Sequence, residues 1–176
     1  MNVEIKAKCY KPRNVRRILK SKNAFYKGRD HQVDTYFKVS GGRLKLREGK
    51  IENYLIYYVR EDKKGPKKST VILLKAEPKS PLKEMLVKAL EVLVVVEKHR
   101  DIYFIDNVKF HIDAVTDLGS FIEIEAMDNK KEFRTNQLLN QCKYYLELFE
   151  VSDKDLISCS YCDLMLDKIN VNLNKF

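Results

Sequence analysis

Between Lys98 and Glu125 the chain sets cations and carboxylates on alternate positions. Lys98 and Arg100 come first, then Lys109, His111 and Asp113, then Glu123 and Glu125 behind Phe121. Successive strand side chains point to opposite faces, so each set shares one face. Three strands curled until those faces met would enclose a cavity, with cations on one wall and carboxylates on two others. Such a lining suits a polyanion held together with a divalent metal. Alternating charge is also the ordinary solvent face of an amphipathic strand. Chemistry follows only if the rest of the chain supplies matching strands.

The chain has 176 residues, enough for one domain with its own core. With 44% hydrophobic and 34% charged residues it reads as globular rather than disordered. The net charge of +9 points to an anionic partner: nucleic acid, a membrane surface or a phosphorylated small molecule. No apolar run is long enough to span a bilayer, and Leu90–Val96 reads as a buried strand. The polar N-terminus does not read as a signal peptide, and four scattered cysteines do not suggest a disulfide framework. A cytoplasmic setting is expected.

Further strands are legible. Residues 2–9 alternate, with Val3, Ile5 and Ala7 on one face and Asn2, Glu4, Lys6 and Lys8 on the other. Residues 29–39 look extended, with Val33, Tyr36, Phe37 and Val39 as β-formers, and Gly41-Gly42 signals a hairpin. In 43–48, Arg43, Lys45 and Arg47 share a face opposite Leu44 and Leu46. Residues 54–61 read as a strand ending at Arg60, and 62–69 as an exposed turn. A further strand, 69–78, has Val71, Leu73 and Lys75 on one side. Helical spacing appears after Pro12 (Val15, Ile18, Leu19). It recurs after Pro81, with Leu82, Met85, Leu86 and Leu90 inward, and over 130–149 through Phe133, Leu138, Cys142, Tyr145, Leu146 and Phe149. Residues 171–176 read as a frayed tail.

About eight strands with a few helices at the connections predict an antiparallel α+β domain over 1–170, not a doubly wound parallel sheet. A bare Cys159-x-x-Cys162 has neither a second pair for zinc nor a βαβ setting for redox work.

The motifs in order resemble the CYTH family of triphosphate tunnel metalloenzymes. Its Glu-x-Glu-x-Lys signature stands here as Asn2-Val3-Glu4-Ile5-Lys6, with Asn in place of the first Glu. QVDTYF (32–37), GRLKLRE (42–48), LIYYVRED (55–62), Lys98-x-Arg100, HIDAV (111–115), LGSFIEIEA (118–126) and SYCDL (160–164) follow. The pattern looks closest to the class IV adenylyl cyclase-like branch. The resemblance implies an eight-stranded antiparallel β-barrel tunnel with helices at the connections and C-terminus. It implies Glu4, Asp113, Glu123 and Glu125 as ligands of Mg²⁺ or Mn²⁺. It implies Lys6, Arg43, Lys45, Lys75, Lys98 and Arg100 as the triphosphate-binding and catalytic cations. Arg47, Arg60 and His111 join them as substrate contacts, with His111 either donating to phosphate or orienting Asp113. Arg47 also reads as half of a surface pair with Glu48. Tyr161 and Asp163 are expected to seat the C-terminal segment on the barrel.

The implied activity is conversion of ATP to cyclic AMP and pyrophosphate. The alternatives are hydrolysis of thiamine triphosphate, tripolyphosphate or a nucleotide, or binding with little turnover. No nucleic-acid motif is recognised, so neither nucleic acid nor a membrane is expected as a partner, and the protein is expected to be a monomer or homodimer.

Overall fold

The computed structural model describes residues 2–60, 67–128 and 133–173. Eight antiparallel strands, β1 (Asn2–Lys8), β2 (Phe25–Phe37), β3 (Arg43–Glu48), β4 (Tyr54–Arg60), β5 (Lys67–Lys75), β6 (Val92–Ile105), β7 (Val108–Val115) and β8 (Gly119–Met127), form one sheet. Its order is β1-β5-β4-β3-β2-β6-β7-β8, and it closes on itself as a barrel. The closing seam is short: Val3 lies opposite Lys68 and Glu4 opposite Lys67. By contrast β2 and β6 pair along the whole of β2, from Phe25 to Phe37.

Closure explains the alternating charge. One face of each strand lines the interior, so the apolar faces of the strands must be buried outside, under helices. Val3, Ile5, Ala7, Phe110, Ile112, Ile122 and Ile124 form the largest core. It is covered by α1 (Pro12–Ser21), through Val15 and Leu19, and by α3 (Thr135–Leu148), through Leu138 and Cys142. Pro12 opens α1, where a missing N–H costs nothing. Phe110 makes T-shaped contacts with Tyr145 and Phe149, with ring centroids 4.7 and 5.8 Å away. A second core lies under α2 (Leu82–Ala89), where Leu82, Leu86 and Leu90 meet Phe37, Leu46 and Ala76.

The last helix, α4 (Tyr161–Leu173), behaves differently. Tyr161, Cys162 and Met165 pack against Tyr36, Val94, Val96, Val115 and Phe121. These five share strand faces with the inward-pointing charged residues, so α4 closes one mouth of the barrel.

Gly42, in the turn between β2 and β3, has φ +66°, and a Cβ there would stand 2.8 Å from the Tyr57 hydroxyl. The hairpin signal at Gly41-Gly42 therefore marks a position that needs glycine.

Several boundaries differ from the sequence reading. Met85 is 63% exposed rather than inward, because α2 is only eight residues long and covers the core with one stripe. Val92, Leu93 and Val95 are exposed while Val94 and Val96 are buried, so the Leu90–Val96 run is a one-sided strand. Strand β5 starts at Lys67, inside the stretch read as a turn; residues 61–66 lie outside the described residues. The helix expected from 130 begins at Thr135, with 129–132 outside the description. Helix α4 continues through Leu173 into the stretch expected to fray, and 174–176 are not described. No helix among the described residues is long and apolar enough to cross a membrane.

Candidate functional site

The barrel encloses a cavity of about 310 Å³ with two unlike halves. The charged half is lined by Asn2, Glu4 and Lys6 of β1, Lys45 and Arg47 of β3, Arg100 of β6, Lys109 and His111 of β7, Glu123 and Glu125 of β8, and Glu52 from the loop before β4. The other half is aromatic and apolar: Tyr54, Ile56 and Tyr58 of β4 with Val71 and Leu73 of β5. Ser160 and Tyr161 border the cavity from the α4 end.

The charged half is a set of ion-pair networks. Arg100 grips Asp113 with two nitrogens, at 2.7 and 2.5 Å, and reaches Glu123 at 2.8 Å. Glu123 also takes Lys6 at 3.0 Å and His111 Nδ1 at 3.0 Å. The Tyr161 hydroxyl donates to Asp113 at 2.7 Å, and Lys6 sits 3.8 Å from the Tyr161 ring centroid. Hence α4 is tied to the same network that lines the cavity. A second hub is Asp34, fully buried on β2. It accepts from Lys45 (2.8 Å), Lys98 (2.7 Å) and the Arg47 fork (2.8 and 3.0 Å). Glu52 links the networks' edges through Arg47 (2.8 Å) and Lys109 (2.6 Å).

These arrangements shift protonation in opposite directions. Burial alone would raise Asp34, but Arg47, Lys45 and Lys98 hold it well below the usual carboxylate range. The two lysines meet the reverse balance, because burial outweighs the one carboxylate they share with each other and with Arg47. Burial pushes Lys98 down to about 7; Asp34 opposes this while Arg47, Arg100 and Lys45 add to it. Burial likewise takes Lys45 to about 8. Burial, with Arg100 and Lys109, lowers His111 to about 4, so it is neutral near pH 7. Its Nδ1–H then donates to Glu123, and its Nε2 has no hydrogen-bond partner among the described residues.

Lysines lowered in the fold bind fewer protons than in the unfolded chain, where the ordinary value is about 10.4. From about pH 7 to 10 the unfolded state takes up the extra protons, so stability rises with pH. The urea midpoint is therefore expected to increase between neutral and mildly alkaline pH, and Lys98→Met should flatten that rise. A wild-type midpoint that falls across this window would contradict the assignment.

The structure brings Glu4, Lys6, Lys45, Arg47, Arg100, His111, Glu123 and Glu125 to one cavity. Lys98 and Asp113 are not on its lining; both are buried behind it, held by Asp34 and by Arg100 with Tyr161. Arg43 stands by α4, bonded to Asp163 at 2.8 Å, and Asp163 accepts from Ser160 at the start of the helix. Lys75 is exposed at the end of β5. Arg60 ends β4 with its side chain outside the description. Two readings are corrected. Arg47 pairs with Asp34 and Glu52 inside the barrel, while Glu48 pairs with Lys83 outside. His111 bonds Glu123, not Asp113.

Sequence reasoning missed Asp34 and Glu52. Asp34 had a signal: Asp30, Gln32 and Asp34 alternate into Tyr36, all buried and inward. Glu52 lies in a loop, where no period exists to mark it. That loop is anchored by Asp30, which accepts from the backbone N–H of Lys50, Ile51 and Glu52.

For a divalent cation the best-fitting donors are Glu4 and Glu125. They face each other across β1 and β8, and both line the cavity. Burial raises Glu125, with Glu4 and Glu123 adding to the effect. Opposed carboxylates of that kind are relieved by a cation between them. Asn2 bonds Glu125 at 2.8 Å through Nδ2. Among the described residues no three His, Cys, Asp or Glu are grouped to hold a metal. Two carboxylates fit a hard divalent cation that keeps waters as its remaining ligands. Glu123 and Asp113 are instead satisfied by cations.

A family model described as CYTH domain matches residues 1–154. No curated protein matches the chain by sequence. Among solved structures, a conserved hypothetical protein from Pyrococcus furiosus superposes with a TM-score of 0.77 at 17% identity, covering 93% of this chain and 99% of its own. A candidate adenylate cyclase from Vibrio parahaemolyticus gives 0.70 at 18%, covering 93% and 97%. A candidate adenylyl cyclase from Hippeastrum, described as having a dominant triphosphatase activity, gives 0.60 at 12%, covering 96% of both chains. Identities this low speak to the fold alone.

Proposed function

Since the chain belongs to the CYTH domain family, we propose that it is a divalent-metal-dependent enzyme acting on an organic triphosphate, converting ATP to cyclic AMP and pyrophosphate. The observation that carries this reading is the divided cavity. Its charged half suits a triphosphate, and its wall of Tyr54, Ile56, Tyr58, Val71 and Leu73 suits a flat organic group that inorganic tripolyphosphate lacks.

Chemistry at phosphorus is mostly positioning and charge neutralisation. Lys6, Lys45, Arg47, Arg100 and Lys109 supply the positive lining, each held in place by a carboxylate. Incoming phosphate oxygens compete with those carboxylates for the same donors. Arg47 and Arg100 offer planar forks that match two oxygens; the lysines act as point charges. Glu4 and Glu125 would hold the cation, which when bound neutralises and orients phosphate oxygens. In the cyclase reaction the ribose 3′-oxygen bonds to the α-phosphorus as the bond to pyrophosphate breaks. Burying Asp34, Asp113 and Glu123 among cations keeps all three ionised and the cationic wall fixed during this exchange.

A second reading, hydrolysis at the terminal phosphate, uses the same lining with water as the nucleophile. The Hippeastrum neighbour's triphosphatase activity favours it. The deciding experiment supplies Mg²⁺ or Mn²⁺ with ATP, thiamine triphosphate or tripolyphosphate and identifies products. Cyclic AMP with pyrophosphate supports the first reading and orthophosphate the second. Turnover of tripolyphosphate alone would refute the organic substrate.

Asn2 occupies the position of the family's first Glu and brings no charge. Asn2→Glu would replace its bond to Glu125 with a third carboxylate. The Mg²⁺ concentration for half-maximal rate should fall severalfold. An unchanged or weaker Mg²⁺ dependence would exclude Asn2 from the metal's surroundings.

A further inference from the structure

Inside the barrel the charges nearly balance. Lys6, Lys45, Arg47, Lys98, Arg100 and Lys109 face Glu4, Asp34, Glu52, Asp113, Glu123 and Glu125. These six cations and six carboxylates leave the +9 excess of the chain to its other residues. Much of it falls in one segment. From Lys11 to Arg29 there are eight Lys and Arg residues and no Asp or Glu. All but Arg16 are exposed; Arg16 turns to Asp101 at 2.6 Å.

Helix α1 organises this segment. Val15 and Leu19 are buried on the barrel wall, so Arg13, Arg17 and Lys20, at i, i+4 and i+7, form a stripe on the helix's other side. Among the described residues, Arg17 bonds Asn14 of its own helix, at 2.8 Å. Two rings bracket the helix: Tyr10, 78% exposed, before it and Phe25, 66% exposed, after it. Cations with flanking exposed rings match a partner that has both phosphates and flat bases. An anionic bilayer fits less well, because the apolar face of α1 is committed to the core and has nothing to insert. Polyphosphate would leave the rings without a role.

We propose that the outer face built from α1 and the start of β2 binds single-stranded nucleic acid. Phosphates lie along the Arg13–Arg17–Lys20 stripe and bases stack on Tyr10 and Phe25. The site is separated from the cavity by the barrel wall, and so stands apart from the triphosphate chemistry.

The test is fluorescence anisotropy of a short labelled single-stranded oligoribonucleotide with the whole chain across a salt series. Three phosphate contacts at roughly 0.7 each predict that Arg13→Gln, Arg17→Gln and Lys20→Gln together reduce the log–log salt slope by about 2. Tyr10→Ala and Phe25→Ala should each weaken binding by about fivefold or more, leaving the slope unchanged. Turnover in the cavity should survive all of these substitutions, which also reports that the fold is intact. The proposal is overturned if the oligonucleotide fails to bind at low salt or if the triple variant keeps the wild-type slope. It is also overturned if phosphatidylserine vesicles or polyphosphate bind as tightly while the aromatic variants bind RNA normally.

Discussion

Arg100→Gln is expected to lower triphosphate turnover by about a thousandfold, the scale seen when a charged group facing a reacting phosphate is lost. Arg100 stands where three elements meet. It comes from β6, grips Asp113 of β7 with two nitrogens and touches Glu123 of β8. Removing it takes one fork from the cavity and strips the buried Asp113 and the half-buried Glu123 of their strongest partner. Both would then move toward protonation, because Arg100 is the largest influence opposing burial at each. Arg100→Lys separates these effects: it retains the charge but not the fork, and should recover the fold and part of the rate. A folded Arg100→Gln protein working above about a tenth of the wild-type rate would remove Arg100 from the chemistry.

The largest stability effect is expected at Asp34. Asp34→Asn leaves Lys45, Lys98 and Arg47 facing a neutral amide in the barrel wall, with Lys98 and Asp34 themselves 0% exposed. An exposed pair is worth at most about 1 kcal/mol. Breaking a buried pair costs about 3–5 kcal/mol, because the surviving charge stays desolvated. Proton loss from Lys98, already lowered to about 7 in the wild type, softens this and makes the cost larger at acid pH. Urea unfolding near neutral pH should show a loss of about 3–5 kcal/mol. A loss below about 1 kcal/mol would mean that Asp34 is not the hub of the β2–β3–β6 wall.

The strand faces were legible because alternation survives in any closed sheet. Glu4 and Lys6, Lys45 and Arg47, and Glu123 and Glu125 could be grouped before any topology was known. Alternation does not say how deep a residue lies or whether the wall continues beside it. Lys75 shares a face with Val71 and Leu73, yet β5 pairs with β1 only at Lys67 and Lys68, so Lys75 lies past the seam and is exposed. Lys98 shares a face with Arg100, but Val94, Val96 and the α4 plug lie on its other side, and it is sealed against Asp34. Asp34 escaped notice because its neighbours Val33, Tyr36 and Phe37 are strong β-formers that mask the polar alternation. That Asp113 and Glu123 would be held by cations depended on Arg100 crossing from a neighbouring strand, a contact that no local spacing encodes.

We propose that this cavity turns over a triphosphate with a divalent cation held by Glu4 and Glu125. The most direct measurement is the initial rate on ATP across a Mg²⁺ titration, for the wild type, Glu4→Gln and Glu125→Gln. Metal-dependent turnover in the wild type is predicted, with each variant needing far more Mg²⁺ or losing about a hundredfold or more in rate. Wild-type turnover that survives chelation, or variants with an unaltered Mg²⁺ dependence, would contradict it.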